Sequence, residues 1–142
     1  MRNNIIKIHN IAQECISTEF LLGQNDCNIL VLRVIDQVCG TAYTDLAMGK
    51  YKTIKAGQKL FTKHELGSLE DICKKHGVQV DTPIMGDVMV NGIHGSVVLD
   101  GKYITLNADS NGFNLAVLPW LHDWTFYRIT PDAGTAGTAG GE

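Results

Sequence analysis

The feature that most constrains how this chain can fold is the mainly apolar stretch at residues 29–39, which stops at Gly40. It directly follows six polar or small residues, Gly-Gln-Asn-Asp-Cys-Asn, at positions 23–28. Asn25 or Asp26 can accept a hydrogen bond from an unpaired first-turn amide, and Gly40 can adopt the left-handed conformation that ends a helix. The pattern predicts a capped helix with Cys27 in its first turn.

The predicted helix has one polar stripe, formed by Arg33, Asp36 and Gln37, and its other faces are apolar. Such a helix is expected to be largely buried. At its N-terminus the helix dipole favours a thiolate over a thiol, and the thiolate is the form that attacks a carbonyl carbon. We therefore interpret Cys27 as a candidate nucleophile on a rigid helix.

Length and charge exclude several classes of protein. With 142 residues, 44% of them hydrophobic, the chain is long enough for one domain with a real core. The net charge of −3 and the scattered lysines and arginines argue against a nucleic-acid partner. The longest apolar run, residues 29–32, is too short to span a bilayer. The N-terminus lacks the apolar core of a secretory signal, so we expect synthesis and folding in a cytoplasm.

The four cysteines are Cys15, Cys27, Cys39 and Cys73, and they include no C-x-x-C pair. Disulfides are not expected in a cytoplasm, and the cysteines and histidines lack the spacing of a zinc site. We expect no metal and no cofactor. Apart from Cys27, the cysteines are interpreted as small buried side chains.

Helical patterns fill the first half of the chain. A first amphipathic helix, capped by Asn3 or Asn4, is expected to pack on the cysteine helix. A short helix is predicted near residues 56–61, and Ser68 with Asp71 resembles a capping box for a helix that ends near position 76.

Beyond Pro83 the hydrophobic period changes from that of a helix to that of a strand, and a last strand is predicted at residues 123–129. Helices followed by strands indicate an α+β fold. We expect one domain over residues 1–131, followed by a flexible Gly/Thr/Ala tail at residues 132–142.

A hairpin is predicted in the second half, because the Asp-Gly dipeptide at positions 100–101 is a preferred two-residue turn. If Leu99 faces Lys102, the same register places His94 opposite Asn107, on the face toward the Cys27 helix. Side chains directly opposed across two strands are close enough for an amide to hold an imidazole. A histidine oriented by an asparagine is the base half of a cysteine catalytic triad.

Three blocks, in order, resemble the papain-like cysteine peptidases of the NlpC superfamily, particularly the compact version found in tailed bacteriophages as a tail-associated cell-wall peptidase. The blocks are Gly-Gln-Asn-Asp-Cys at 23–27, Gly-Asp-Val-Met-Val at 86–90 followed by His94, and Tyr-Ile-Thr-Leu-Asn at 103–107. The resemblance covers roughly residues 20–129.

The resemblance implies an NlpC-type fold, in which the nucleophile helix packs on a C-terminal antiparallel sheet. It carries over Cys27 as nucleophile, His94 as general base and Asn107 as orienting residue. Two departures from the family pattern stand out: Asn28 replaces a frequent serine, and Gly-Ser follows the histidine where a bulky residue and then glycine are usual. Asp87 is interpreted as structural, because a carboxylate at a strand start commonly makes turn hydrogen bonds.

The implied activity is hydrolysis of amide bonds in peptidoglycan peptide stems during DNA delivery. The implied partners are those stems and phage tail-tip proteins, and the implied location is the host cytoplasm and then the virion tail. Two alternatives stay open: a catalytically inactive structural or assembly component of the tail tip with the same fold, and an unrelated α+β domain.

Overall fold

Along the described chain, every helix lies before every strand, in the order that the change in hydrophobic period predicted. The computed structural model describes residues 2–107, 109–118 and 123–131, so the predicted tail lies outside the described residues. The helices are α1 (Arg2–Ile16), α2 (Cys27–Cys39), α3 (Tyr43–Ala47), α4 (Ile54–Lys63) and α5 (Leu69–His76). The strands are β1 (Gly77–Val80), β2 (Val88–Asn91), β3 (His94–Val97), β4 (Lys102–Asn107), β5 (Gly112–Val117) and β6 (Thr125–Ile129). The α+β class is confirmed.

Helix α2 lies at the centre of the core and has both of its predicted caps. Asp26 is the N-cap residue, and Gly40 ends the helix in the left-handed conformation with φ of 70°. Six residues of the helix are buried, and they are Ile29, Leu30, Val31, Leu32, Val34 and Ile35. The predicted polar stripe is half-buried, and its Arg33 forms an ion pair with Glu14 of α1.

The other predicted helices are present. Helix α1 packs on α2, as expected, through a face that includes Ile8 and Ala12. The capping box of α5 is complete, since Ser68 and Asp71 each bond the other's backbone amide. Helix α3 and strand β1 were not predicted. No helix within the described residues is long and apolar enough to cross a membrane.

Four strands form an antiparallel sheet in the order β1-β6-β2-β3, and one face of this sheet covers α2. The buried side chains on that face are Val88, Val90, Val97 and Tyr127. The last described strand therefore lies inside the sheet, between β1 and β2. Strands β4 and β5 form a separate two-stranded antiparallel sheet.

Asp87, which directly precedes β2, has the structural role expected of it. Its carboxylate accepts hydrogen bonds from the Ile84 amide at 2.8 Å and from two guanidinium nitrogens of Arg128 at 3.0 Å and 2.9 Å. The bidentate pair connects the start of β2 to β6.

The turn at residues 100–101 forms as predicted. Leu99 and Lys102 exchange backbone hydrogen bonds of 2.8 Å and 3.4 Å, and Val98 pairs with Tyr103. Within the described residues, the ladder between β3 and β4 stops at that pair.

The predicted pairing of His94 with Asn107 is wrong, because a serine side chain interrupts the ladder. The Ser96 hydroxyl donates to the carbonyl of Ile104 at 2.7 Å and accepts from its amide at 3.0 Å. With both polar groups of Ile104 satisfied by a side chain, β4 separates from β3 and pairs with β5. His94 consequently pairs inside the β2–β3 hairpin and Asn107 inside the β4–β5 hairpin.

Candidate active site

The first turn of α2 is fixed by the buried carboxylate of Asp26, which accepts three hydrogen bonds. One oxygen accepts from the Ile29 amide at 2.8 Å, and the other accepts from the Gly23 amide and the Tyr51 hydroxyl, each at 2.7 Å. A buried carboxylate is stable only when such donors replace its water. The position of Cys27 is therefore determined by the loop before α2 together with Tyr51.

Gly23 approaches the Tyr51 backbone so closely that no other residue fits. Its φ is +86°, and a Cβ atom there would lie 2.0 Å from the Tyr51 carbonyl oxygen. Gly23 thus allows the loop before α2 to pack closely against Tyr51, and the Gly23 amide then points at the Asp26 carboxylate.

Gly23→Ala is expected to destabilise the protein by at least about 3 kcal/mol, because left-handed strain and overpacking add together. Gly40→Ala is the matched control. Gly40 also has positive φ, of +70°, but a Cβ there would meet nothing within 4 Å, so about 1–2 kcal/mol is expected. Urea unfolding of both variants measures the difference, and equal losses would show that the Gly23–Tyr51 contact relaxes freely.

Cys27 is half-buried at the start of α2, and its sulfur lies near backbone amides that can stabilise a thiolate. These amides belong to Cys27, Asn28 and Gly95. The first amides of a helix have no acceptor within the helix, so those of Cys27 and Asn28 can bond a negatively charged atom. The start of α2 thus presents hydrogen-bond donors to a negatively charged atom beside the Cys27 sulfur.

Gly95 brings β3 against the first turns of α2. A Cβ at this position would lie 2.8 Å from Leu69 Cδ2 and 2.9 Å from Val31 Cγ2. In the β2–β3 hairpin Gly95 faces Val90, one position beyond the pair that closes the two-residue turn. In an antiparallel ladder, hydrogen-bonded pairs alternate with pairs that are not hydrogen-bonded, so the Gly95 amide points away from β2. This direction agrees with the location of the amide beside the Cys27 sulfur.

Burial raises the pKa of the Cys27 thiol above its ordinary value; the Gly95 amide opposes this rise and the Asp26 carboxylate adds to it. Burial therefore opposes the thiolate that the helix N-terminus favours. Burial likewise raises the pKa of Cys15 and Cys73 to about 12 and that of Cys39 to about 11.

His94 is exposed and begins β3 directly after the turn at residues 92–93, as the resemblance implied. It contributes to the rim of the cavity that contains Cys27. Side chains alternate along a strand, and Gly95 and Val97 face α2. His94 therefore starts from the opposite face, which corrects the expectation that it projects toward the Cys27 helix.

Asn28 connects the helix start to this turn. Its side-chain nitrogen donates to the Ile93 carbonyl at 3.3 Å and lies 3.9 Å from the Cys27 sulfur. The amide side chain thus holds the turn beside the thiol. Asn28 is also the residue that stands in place of the frequent serine of the NlpC-type pattern.

Asn107 does not join the other two predicted residues. Its side-chain oxygen accepts from the amides of Asp109 at 3.0 Å and Ser110 at 3.4 Å, so it caps the turn between β4 and β5. Its neighbour Leu106 lines the cavity, whereas Asn107 does not. The orienting role assigned to Asn107 has no geometric basis in this structure.

Asn107→Ala is expected to destabilise the β4–β5 hairpin by about 1 kcal/mol, the usual value of a side-chain hydrogen bond, without changing the reactivity of Cys27. Urea unfolding and the rate of iodoacetamide labelling at Cys27, measured on the same preparations, separate the two effects. A large fall in labelling rate with unchanged stability would restore Asn107 to the site.

The cavity around Cys27 has a volume of about 380 Å3. Its walls come from the loop before α2, from Tyr51 and α4, from the start of α5, and from the β2–β3 turn and β4. The described apolar side chains that line it are Phe20, Leu22, Tyr51, Ile54, Phe61, Leu69, Ile93 and Leu106. This volume lies within the roughly 300–1,000 Å3 of small-molecule sites.

The described part of the chain is thus an α+β domain in which a cavity encloses a cysteine at the N-terminus of a buried helix. The chain belongs to the family described as Domain of unknown function (DUF6950), whose model matches residues 3–128. No curated protein and no solved structure matches it.

Sequence reasoning proposed Cys27 and His94, which line one cavity, but did not assign roles to Tyr51 or Gly95. A glycine inside a strand indicates close backbone approach, so Gly95 carried a usable signal. Tyr51 carried none, because its bond to Asp26 joins segments that only the tertiary fold brings together.

Proposed function

We propose that this protein is an NlpC-type, papain-like cysteine hydrolase that cleaves amide bonds in peptidoglycan peptide stems as part of a phage tail. One observation carries the proposal: Cys27 lies at a helix N-terminus with its sulfur beside first-turn amides, in a cavity whose lining includes His94. A nucleophile, donors for an oxyanion and a nearby base are the components that acyl transfer requires.

The reaction would proceed through a thioester. The Cys27 proton passes to His94 as the sulfur attacks the carbonyl carbon, and the new oxyanion accepts hydrogen bonds from first-turn amides of α2. The carbon–nitrogen bond then breaks, and the amine leaves with the proton from the imidazolium. Water, deprotonated by His94, hydrolyses the thioester to a carboxylic acid and restores the thiol.

The arrangement of the three sequence blocks supports an NlpC-type assignment. The block that ends at Cys27 opens a buried helix, the Gly-Asp pair at 86–87 precedes β2, and His94 opens β3. The third block contributes the wall residue Leu106 rather than an orienting group.

Mass analysis of purified cell-wall fragments tests the activity. We expect wild-type protein to release fragments that differ from the starting material by one hydrolysed amide, and Cys27→Ala to release none. Cys39→Ala is the matched control, because Cys39 is the last residue of the same helix and is also half-buried. Identical fragments from wild type and Cys27→Ala would sink the proposal.

A second candidate function, a structural tail component that retains the fold without catalysis, is favoured by the position of His94. Its side chain starts from the face opposite α2, and the Cys27 thiol has a raised pKa. Particles that carry Cys27→Ala separate the two functions. Normal assembly with poor DNA delivery through heavily cross-linked walls supports the enzyme, whereas assembly and infection equal to wild type support the structural role.

A further inference from the structure

The wall of the Cys27 cavity is apolar over most of its surface. It also lacks the features that a binding site for a charged ligand normally has. The described polar side chains that line it are Asp26, Cys27, Asn28, Gln58, Thr62, Ser68 and His94. No lysine or arginine occurs among the described lining residues. An anionic group that entered the cavity away from the first-turn amides of α2 would therefore lose its water without gaining an ion pair.

Among the described lining residues the one carboxylate, that of Asp26, already has its hydrogen bonds satisfied. Asp26 is buried, and its two oxygens accept the three hydrogen bonds that fix the first turn of α2. A cationic ligand would have to compete with the Gly23 amide and the Tyr51 hydroxyl for those oxygens. The cavity is thus poorly suited to a cation as well as to an anion.

Positive charge is present nearby but faces a different surface. Lys55, Lys59 and Lys63 line a shallow depression on the outer side of α4, which shares only Gln58 and Thr62 with the cavity. Helix α4 therefore separates a basic exterior from an apolar interior.

We propose that the cavity is a specificity subsite for an uncharged, apolar group of the substrate, placed next to the Cys27 sulfur. The inference rests on the proposed cysteine chemistry and adds the class of group that the site accepts. In a peptide stem, the residue that occupies the cavity carries an alkyl or aromatic side chain. Free carboxylates of the stem lie outside it.

Three electrophiles that differ only in a remote charge test the subsite. They are N-benzyl-2-chloroacetamide and its 4-carboxy and 4-aminomethyl derivatives. In each reaction the Cys27 sulfur displaces chloride and forms a carbon–sulfur bond, while the thiol proton passes to solvent. Rates at Cys27, measured by peptide mass spectrometry, are divided by those of N-acetylcysteine with the same reagent.

The neutral reagent is expected to react at least about tenfold faster than either charged one, because only the neutral ring enters without losing solvation of a charge. Leu106→Lys should reverse the order of the neutral and anionic reagents by placing a cation at the wall. Leu115→Lys is the matched control: both leucines lie in the β4–β5 sheet, with 46% and 43% exposure, and Leu115 lies outside the described cavity lining.

The outcomes distinguish the subsite from the chemistry. A neutral preference that Leu106→Lys removes and Leu115→Lys preserves supports the inference. Equal rates for the three reagents, or faster reaction of the anionic one with wild type, overturn the apolar subsite and leave the proposed hydrolase standing. If no reagent labels Cys27 in the folded protein but all label it in urea, the thiol is inaccessible from the cavity, and both proposals fail.

Discussion

Cys27→Ala is expected to abolish amide hydrolysis, with a fall in kcat/KM of at least about 1,000-fold, because no other group can form the thioester. The fold should survive. Removing one half-buried sulfur from the start of α2 is expected to cost at most about 1–2 kcal/mol. Release of peptide fragments from cell-wall material gives the rate, and urea unfolding gives the stability.

Two further variants make this result specific. Cys39→Ala, at the other end of α2, should retain wild-type activity. His94→Ala should lower the rate by about 100- to 10,000-fold, the usual contribution of a general base. Wild-type activity in His94→Ala would exclude His94 as the base. A gain of activity in Ile93→His combined with His94→Ala would show that the cavity side of the turn is where an imidazole works.

The rate at which neutral iodoacetamide alkylates Cys27 is expected to rise about tenfold between pH 7 and 8 and to keep rising up to pH 9. The thiolate is the reacting species, and burial raises the pKa of Cys27 above its ordinary value. The thiol is therefore mostly protonated over this range, and the thiolate fraction grows without levelling off. A free cysteine, with a pKa of about 8.5, would begin to level off before pH 9.

Peptide mass spectrometry can follow Cys27 and Cys39 in the same samples, with circular dichroism as the check that the fold persists. Cys39 provides a half-buried thiol with a pKa of about 11, so its alkylation rate should rise about tenfold per pH unit over the whole range. A rate at Cys27 that is independent of pH between 6 and 8 would instead reveal a thiolate–imidazolium pair. Proton transfer would then precede substrate binding rather than accompany attack.

Features set by short-range chemistry were predictable from the sequence. The caps of α2, the capping box of α5 and the turn at residues 100–101 each depend on neighbouring residues, and each is confirmed. Helix α3 was missed because a helix of five residues has too few turns to show a hydrophobic period.

The error in the predicted strand pairing arose where a side chain, rather than the backbone of the neighbouring strand, makes the hydrogen bonds. Nothing in the alternation of β3 distinguishes Ser96 from any outward polar residue, yet its hydroxyl satisfies Ile104 and ends the ladder. The predicted register therefore holds only for the first pairs after the turn. The predicted pairing of Asn107 with His94 is lost for the same reason. The helix N-terminus at Cys27 is visible in the sequence, whereas the burial that raises the pKa of its thiol is not.

The position of β6 has a consequence for how the protein is made. This strand is the last one described, yet it lies between β1 and β2 and contributes Tyr127 to the core. During synthesis both neighbouring strands would emerge from the ribosome with an unpaired edge, and they could not join one sheet until residues 125–129 followed. The sheet that covers α2 is therefore complete only after residues 125–129 have been made.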